Sequence, residues 1–94
     1  MKTIYKYEIK HLDYELSLPK GYDILCAKSQ LDRFGEEGIF LWVLVDPDIA
    51  EVETVKIKVF ATGMDIDDSI KLRYIDTVMM NNGRFVFHVF KVDD

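Results

Sequence analysis

The chain has 94 residues, 49% of them hydrophobic, and carries a net charge of −5 from 12 basic and 17 acidic side chains. This length predicts a single domain over residues 1–94, which the strand patterns below make β-rich, and the hydrophobic content argues against a disordered chain. The acidic balance argues against direct nucleic-acid binding, which needs a basic face, although an acidic protein can still imitate nucleic-acid charge.

Cysteine content and hydropathy limit which cofactors and which cellular location we expect. Cys26 is the only cysteine and no Cys/His ladder is present, so neither an internal disulfide nor a structural zinc site is predicted. The charged N-terminus is unlike a signal peptide, and no stretch has the roughly 20 apolar residues of a membrane span. We therefore expect a cytoplasmic protein with no cofactor, no bound metal and no membrane partner.

The first part of the chain predicts three strands. Residues 3–10 are rich in β-forming side chains, and residues 12–18 alternate apolar and polar side chains, which is typical of a half-buried strand. A Pro-Lys-Gly sequence at residues 19–21 ends the second strand. Residues 22–27 predict a short third strand, and the polar residues 28–37 predict a surface loop.

The uncharged run from Ile39 to Val45 is the centre of the pattern. Seven consecutive apolar residues, followed by an Asp-Pro turn, predict a strand buried on both faces in the middle of a sheet. Trp42, the only tryptophan, lies in this run, and we expect it in the core rather than at a binding surface.

Three further strands follow. Residues 55–61 alternate with lysines on the wet face. Residues 74–80 and 84–92 are joined by residues 81–83, in which Asn82-Gly83 is a strong hairpin signal. Asp68 or Ser69 is a candidate cap for one short helical turn. The sequence thus predicts a mostly β fold, with about seven strands in a small antiparallel sandwich or open barrel and at most one short helix.

Few residues have the chemistry of a catalyst. His88 is a candidate general base, with Asp76 as a possible carboxylate partner and Cys26 as a possible thiol partner. No signature surrounds Cys26, and His11 has no stronger claim than a turn residue. A structural role explains each of these residues better, so we assign no catalytic residue.

An acidic loop contains Asp65, Asp67 and Asp68. Its spacing lacks the glycine and the distal glutamate of a calcium loop, so a solvated turn is the better interpretation and no metal ligand is assigned.

Aromatic side chains make up 13% of the chain, more than we expect so small a core to hide. Phe60 shares the lysine face of its strand, and alternation along the last strand places Val86, His88 and Phe90 in one outward row. Phe60, Val86, His88 and Phe90 are therefore the interface candidates. We predict a homodimer that buries this row through the C-terminal hairpin. Acid should weaken the dimer, because protonation would bring two positively charged His88 side chains together across the two-fold axis.

Six segments in a fixed order resemble a family of short, uncharacterised proteins encoded by bacteriophages and prophages. They are Ile4–Tyr7, Leu18–Gly21, Leu41–Pro47, Thr62-Gly63, Tyr74–Val78 and Phe87–Phe90. The resemblance spans nearly the whole chain and implies a small β fold and a phage or prophage context, with no known reaction. The family commonly has a His after the Thr-Gly pair, where this chain has Met64, so a catalytic His in that loop is not expected.

Three functions follow from these patterns. The first is a non-enzymatic accessory protein that binds a host or phage protein, with inhibition of a bacterial defence system as its specific role. The second is an oligomeric binder of a small molecule such as a nucleotide signal, and the third is an enzyme using His88 with Asp76. A flat aromatic patch would favour the first, a deep cleft at a symmetric interface the second, and a pocket lined by His88 and acidic side chains the third.

Overall fold

The computed structural model describes residues 1–93 and contains seven β-strands in that range, with no helix among them. The strands are β1 Thr3–Ile9, β2 Asp13–Pro19, β3 Asp23–Leu31, β4 Glu37–Val45, β5 Val52–Ala61, β6 Leu72–Met80 and β7 Phe85–Val92. Over the same residues, the chain has no helix with the length and apolarity needed to cross a membrane.

The strands form two antiparallel sheets that pack into an open sandwich and do not close into a barrel. The three-stranded sheet has the order β1-β4-β3, and the four-stranded sheet has the order β2-β5-β7-β6. The predicted antiparallel sandwich of seven strands is confirmed. The optional helical turn at Asp68 and Ser69 is a hydrogen-bonded turn, in which the Ile70 N–H donates to the Asp67 carbonyl.

The core lies between the two sheets and is built from alternate residues of each strand. The fully buried large side chains are Leu18, Leu41, Val43, Val45, Val55, Ile57 and Val89. Burying each such side chain stabilises the fold by about 1.5–3 kcal/mol. The alternation in β2 and β5 therefore predicted the correct inward face.

The predicted loop over residues 28–37 is wrong for half of its length, because β3 continues to Leu31 and β4 already begins at Glu37. Polar Lys28 and Gln30 are exposed on β3, so their polarity marks a solvent-facing side rather than a loop. The true loop is short. The Asp32 carboxylate holds it by accepting the backbone N–H groups of residues 34 and 36 at 2.8 and 3.0 Å.

The prediction that Trp42 belongs to the core is also wrong. β4 is apolar on both faces, as expected, but only its inner face is covered by the second sheet. Trp42 lies half-buried on the outer face, opposite Lys6 of β1 and Cys26 of β3. Its neighbour Phe40 is only 6% exposed, because the Lys6 side chain reaches across it, with Nζ 5.0 Å from the ring centre and donating to Gln30.

The two long sides of the sandwich differ. On one side β3 and β6 approach each other, and the Asp76 carboxylate of β6 joins them. Its Oδ2 accepts the Ala27 N–H at 3.2 Å and the Lys28 ammonium at 3.1 Å, while Oδ1 accepts the Thr77 N–H at 2.9 Å. On the other side, β1 and β2 flank an open groove of about 340 Å³.

Candidate functional site

The outer face of the four-stranded sheet brings an aromatic cluster together. Cross-strand pairing sets Phe60 of β5 opposite His88 of β7, and Tyr74 of β6 opposite Phe90 of β7. We define the aromatic face as Phe60, Tyr74, Met79, Val86, His88 and Phe90. It contains all four residues predicted as interface candidates, and their role at an interface stays a prediction.

Phe90 is the centre of this face. Its ring makes edge-to-face contacts with Phe60 at 6.0 Å and with Tyr74 at 5.7 Å between ring centres. Each such pair contributes about 0.5–1.5 kcal/mol beyond the area it buries, so the rings hold each other in place. Tyr74 remains 57% exposed and Met79 64% exposed, so the part of the face formed by these two side chains is open to solvent.

Hydrogen bonds fix the orientation of His88 within the aromatic face. Its Nε2 lies 2.8 Å from the Thr62 hydroxyl, and its Nδ1 lies 3.1 Å from the Thr77 hydroxyl. The Thr77 hydroxyl is in turn 2.6 Å from the Tyr74 hydroxyl. A neutral imidazole donates from one nitrogen and accepts at the other, and a hydroxyl can do either, so the whole chain of groups is satisfied. His88 therefore adds a rigid polar point to an otherwise apolar patch.

The pairings proposed for catalysis by His88 are not formed. Asp76 faces the seam between the sheets, where it binds Ala27 and Lys28, whereas His88 faces Thr77. Burial raises the pKa of Asp76, but hydrogen bonds from Lys28 and from backbone N–H groups outweigh burial and hold that pKa below its usual value. Cys26 lies on the outer face of the three-stranded sheet, on the opposite side of the sandwich from His88.

The acidic loop is organised as a turn. Asp67 Oδ1 accepts both the backbone N–H of Ser69 at 2.8 Å and its hydroxyl at 2.7 Å, and these bonds lower the pKa of Asp67. Asp65 and Asp68 are exposed. Within residues 1–93, no three His, Cys, Asp or Glu side chains are grouped so as to hold a metal ion.

A second feature, missed from the sequence, is a cleft of about 410 Å³ beside one end of the seam between β3 and β6. Arg73 and Lys91 are cross-strand partners there, and both contact the Asp93 carboxylate, at 3.1 and 3.4 Å. The hydrogen bond from Arg73 is the main cause of the lowered pKa of Asp93. The cleft is open to solvent, and its volume falls within the range of small-molecule sites.

The connection between β6 and β7 has four residues, 81–84, one more than the three residues 81–83 predicted between the last two strands. Asn81, Asn82 and Gly83 all have positive φ, and Met80 and Phe85 close the loop as the last cross-strand pair. Asn and Gly are the residues that adopt this conformation most readily, so the sequence signal for a hairpin was correct although its length was not.

Comparisons with known proteins give one match. Searches of curated proteins and of solved structures each returned no match. A family model described as a domain of unknown function, DUF7352, matches residues 1–94. Because this match extends over the entire sequence, the chain belongs to the DUF7352 domain family.

Proposed function

We propose that this protein is a non-enzymatic binding module that engages another protein through the aromatic face. The observation that carries the proposal is the ordered cluster of Phe60, Tyr74 and Phe90 on the side of the four-stranded sheet that faces away from the three-stranded sheet. Contiguous exposed apolar surface on a small protein usually marks an interaction site, and aromatic side chains are enriched at such sites.

The packing of the aromatic face suits tight binding. Phe90 is held by two aromatic neighbours, and the rotation of Tyr74 is restricted by its hydrogen bond to Thr77. Side chains that are already ordered lose little entropy when a partner covers them, so more of the burial energy becomes affinity. Tyr74 and Met79 have the most surface left to bury.

The partner class that we propose is a host or phage protein in the host cytoplasm, and the specific role is inhibition of a bacterial defence system. This part of the proposal is supported by the resemblance of the sequence to phage-encoded proteins. It does not depend on any contact within the fold.

The test uses two matched substitutions on the same strand. Phe90→Glu places a charge in the centre of the aromatic face. Phe85→Glu makes the same change at a phenylalanine that is 54% exposed and lies on the other side of β7. Affinity capture with each tagged protein, with and without phage infection, identifies the partner, and titration with the purified partner measures its dissociation constant.

We expect Phe90→Glu to weaken binding by at least about tenfold, because a central aromatic anchor commonly contributes more than 1.4 kcal/mol. Phe85→Glu should retain binding, and both variants should keep the circular dichroism spectrum of the parent. A partner that binds the parent and Phe90→Glu equally well would contradict the proposal.

A second copy of the chain is the other protein that this face can accept. β7 lies inside its sheet between β5 and β6, so the predicted homodimer through the hairpin would form face to face rather than edge to edge. Sedimentation of the parent and of Phe90→Glu tells whether this face binds a second copy or a different protein. Only a dimer through this face should dissociate when Phe90 is changed.

The cleft beside Arg73 and Lys91 favours a different candidate function, the binding of a small molecule such as a nucleotide. Arg73 and Lys91 supply two cations to this cleft, and a phosphate would bind them by displacing the Asp93 carboxylate that now pairs with both. Calorimetry with common nucleotides tests this function. Heat of binding to the parent that is lost in Arg73→Ala and retained in Phe90→Glu would support it.

A further inference from the structure

The sandwich has four edge strands, and three of them carry a feature that hinders pairing with another strand. β3 and β6 each contain a β-bulge, at residues 24–26 and 74–76, and they lie against each other. β2 ends in Pro19, which has no N–H to donate. Bulges and prolines are common protections of exposed edges. β1 has neither.

β1 is a regular strand with one free side. It pairs with β4 from Thr3 to Ile9 without a shift in register, and no other strand of residues 1–93 pairs with it. Half of its backbone N–H and C=O groups therefore point away from the sheet. Its side chains are also accessible, with Ile4 53% and Tyr5 45% exposed.

We propose that β1 is a self-association edge, at which β1 of a second copy pairs antiparallel about a two-fold axis through Tyr7. The two three-stranded sheets would then join into one continuous sheet. In this register Lys6 of each copy lies opposite Glu8 of the other, and Tyr7 lies opposite its own symmetry mate. This contact is separate from the aromatic face and does not depend on the proposed function.

Charge complementarity selects this register. Opposite charges on directly facing residues of two strands attract, and like charges in the same positions repel. Lys6 and Glu8 both lie on the outer side of β1, so the two-fold axis at Tyr7 sets each Lys6 opposite a Glu8 of the other copy. The Lys6 ammonium would exchange its bond to Gln30 for one to the facing carboxylate. An axis through Lys6 would instead set the two lysines against each other. A lysine normally protects an edge strand, but here the glutamate two residues away makes the edge self-complementary.

The groove between β1 and β2 is a partly apolar surface that pairing at β1 would bury. Tyr7, Tyr14 and Leu16 line it and pack partly against the core. Pairing at β1 would bring Tyr7 of the second copy alongside this groove. The opposite seam of the sandwich, by contrast, is already occupied by the bonds of Asp76.

A charge swap tests the register. Glu8→Lys should weaken the dimer by roughly tenfold or more in sedimentation equilibrium, because it replaces two attractive pairs with two repulsive ones. The double variant Lys6→Glu with Glu8→Lys should bring the dissociation constant back to within a few-fold of the parent. Glu36→Lys, in the exposed loop between β3 and β4, changes the net charge equally and should leave the dimer intact.

Hydrogen exchange tests the backbone contact without any substitution. Alternate amides of β1, those that point away from β4, should be protected at high protein concentration and exchange freely on dilution. A parent protein that stays monomeric at every concentration, or β1 amides whose exchange does not change with concentration, would overturn the proposal. So would a dimer that dissociates in Phe90→Glu but not in Glu8→Lys, and that result would assign self-association to the aromatic face instead.

Discussion

Replacing Asp76 by alanine should be among the most destabilising changes of a charged residue in this fold. The Asp76 carboxylate accepts bonds from Ala27, Lys28 and Thr77, and its side chain is only 21% exposed. It is the group that ties β6 of one sheet to β3 of the other, beside a bulge in each strand. Without it, the two sheets would lose their hydrogen-bonded link on this side of the sandwich.

The magnitude follows from the three bonds. Lys28 is 60% exposed, so its ion pair contributes only about 0–1 kcal/mol. Ala27 is fully buried, so its N–H would be left without an acceptor, at a cost of about 1–3 kcal/mol. With the local bond to Thr77, the total is about 2–4 kcal/mol, a large part of the 5–15 kcal/mol that stabilises a typical domain.

Urea unfolding followed by circular dichroism measures this loss directly. Asp13→Ala is the matched control, because Asp13 also lies 3.1 Å from a lysine, Lys58, but accepts no backbone bond and is 71% exposed. It should cost less than about 1 kcal/mol. Equal stability of Asp76→Ala and Asp13→Ala would show that the packing of the two sheets does not depend on the Asp76 bonds.

Two further predictions concern the same two layers. The pKa of Asp76 lies below its ordinary value of 3.8 in the folded protein. Its contribution to the free energy of unfolding is therefore complete above pH 3.8 and is lost as the pH falls through the pKa of the folded state. The stability difference between the parent and Asp76→Ala should accordingly shrink in urea titrations below pH 3.8. Leu41→Ala should lower the free energy of unfolding by about 2–5 kcal/mol, because Leu41 is fully buried. Trp42→Ala should lower it less, although the side chain is larger, because Trp42 is only half-buried on the outer face. The reverse order in urea unfolding would show that Trp42 is a core residue.

Strand identity was predictable because it depends on local alternation. The inward faces of β2 and β5 and the outward row on β7 can all be read from period-two patterns, and the structure follows them. The same pattern failed at Trp42, since an apolar run shows that both faces of a strand are apolar but not that both are covered. On β4 the Lys6 side chain lies over Phe40 and the Trp42 ring packs beside it, although no second layer covers this face.

Pairing between strands that are distant in sequence was not predictable, because no local pattern encodes it. β1 pairs with β4 and β2 with β5 across connections that carry no register signal. The sequence gives no signal for the bulges in β3 and β6 either, yet the bulge in β6 decides which of its residues lie on the aromatic face. Without the shift at residues 74–76, Tyr74 would lie opposite Lys91 rather than Phe90. Tyr74 was therefore missed as a member of the aromatic face, and the cleft around Arg73 was missed with it.

The aromatic face and the β1 edge belong to different sheets, so a partner on one leaves the other accessible. A dimer through β1 would carry two copies of the aromatic face, related by the two-fold axis and fixed in relative orientation by a continuous sheet. A partner that is itself a symmetric dimer could then engage both copies at once, and the second contact would form at a high effective concentration. Loss of the β1 contact would in that case reduce affinity for a dimeric partner while leaving affinity for its single subunit unchanged. Glu8→Lys and Phe90→Glu thus separate the two roles, since the first removes only the gain from bivalency and the second removes binding itself.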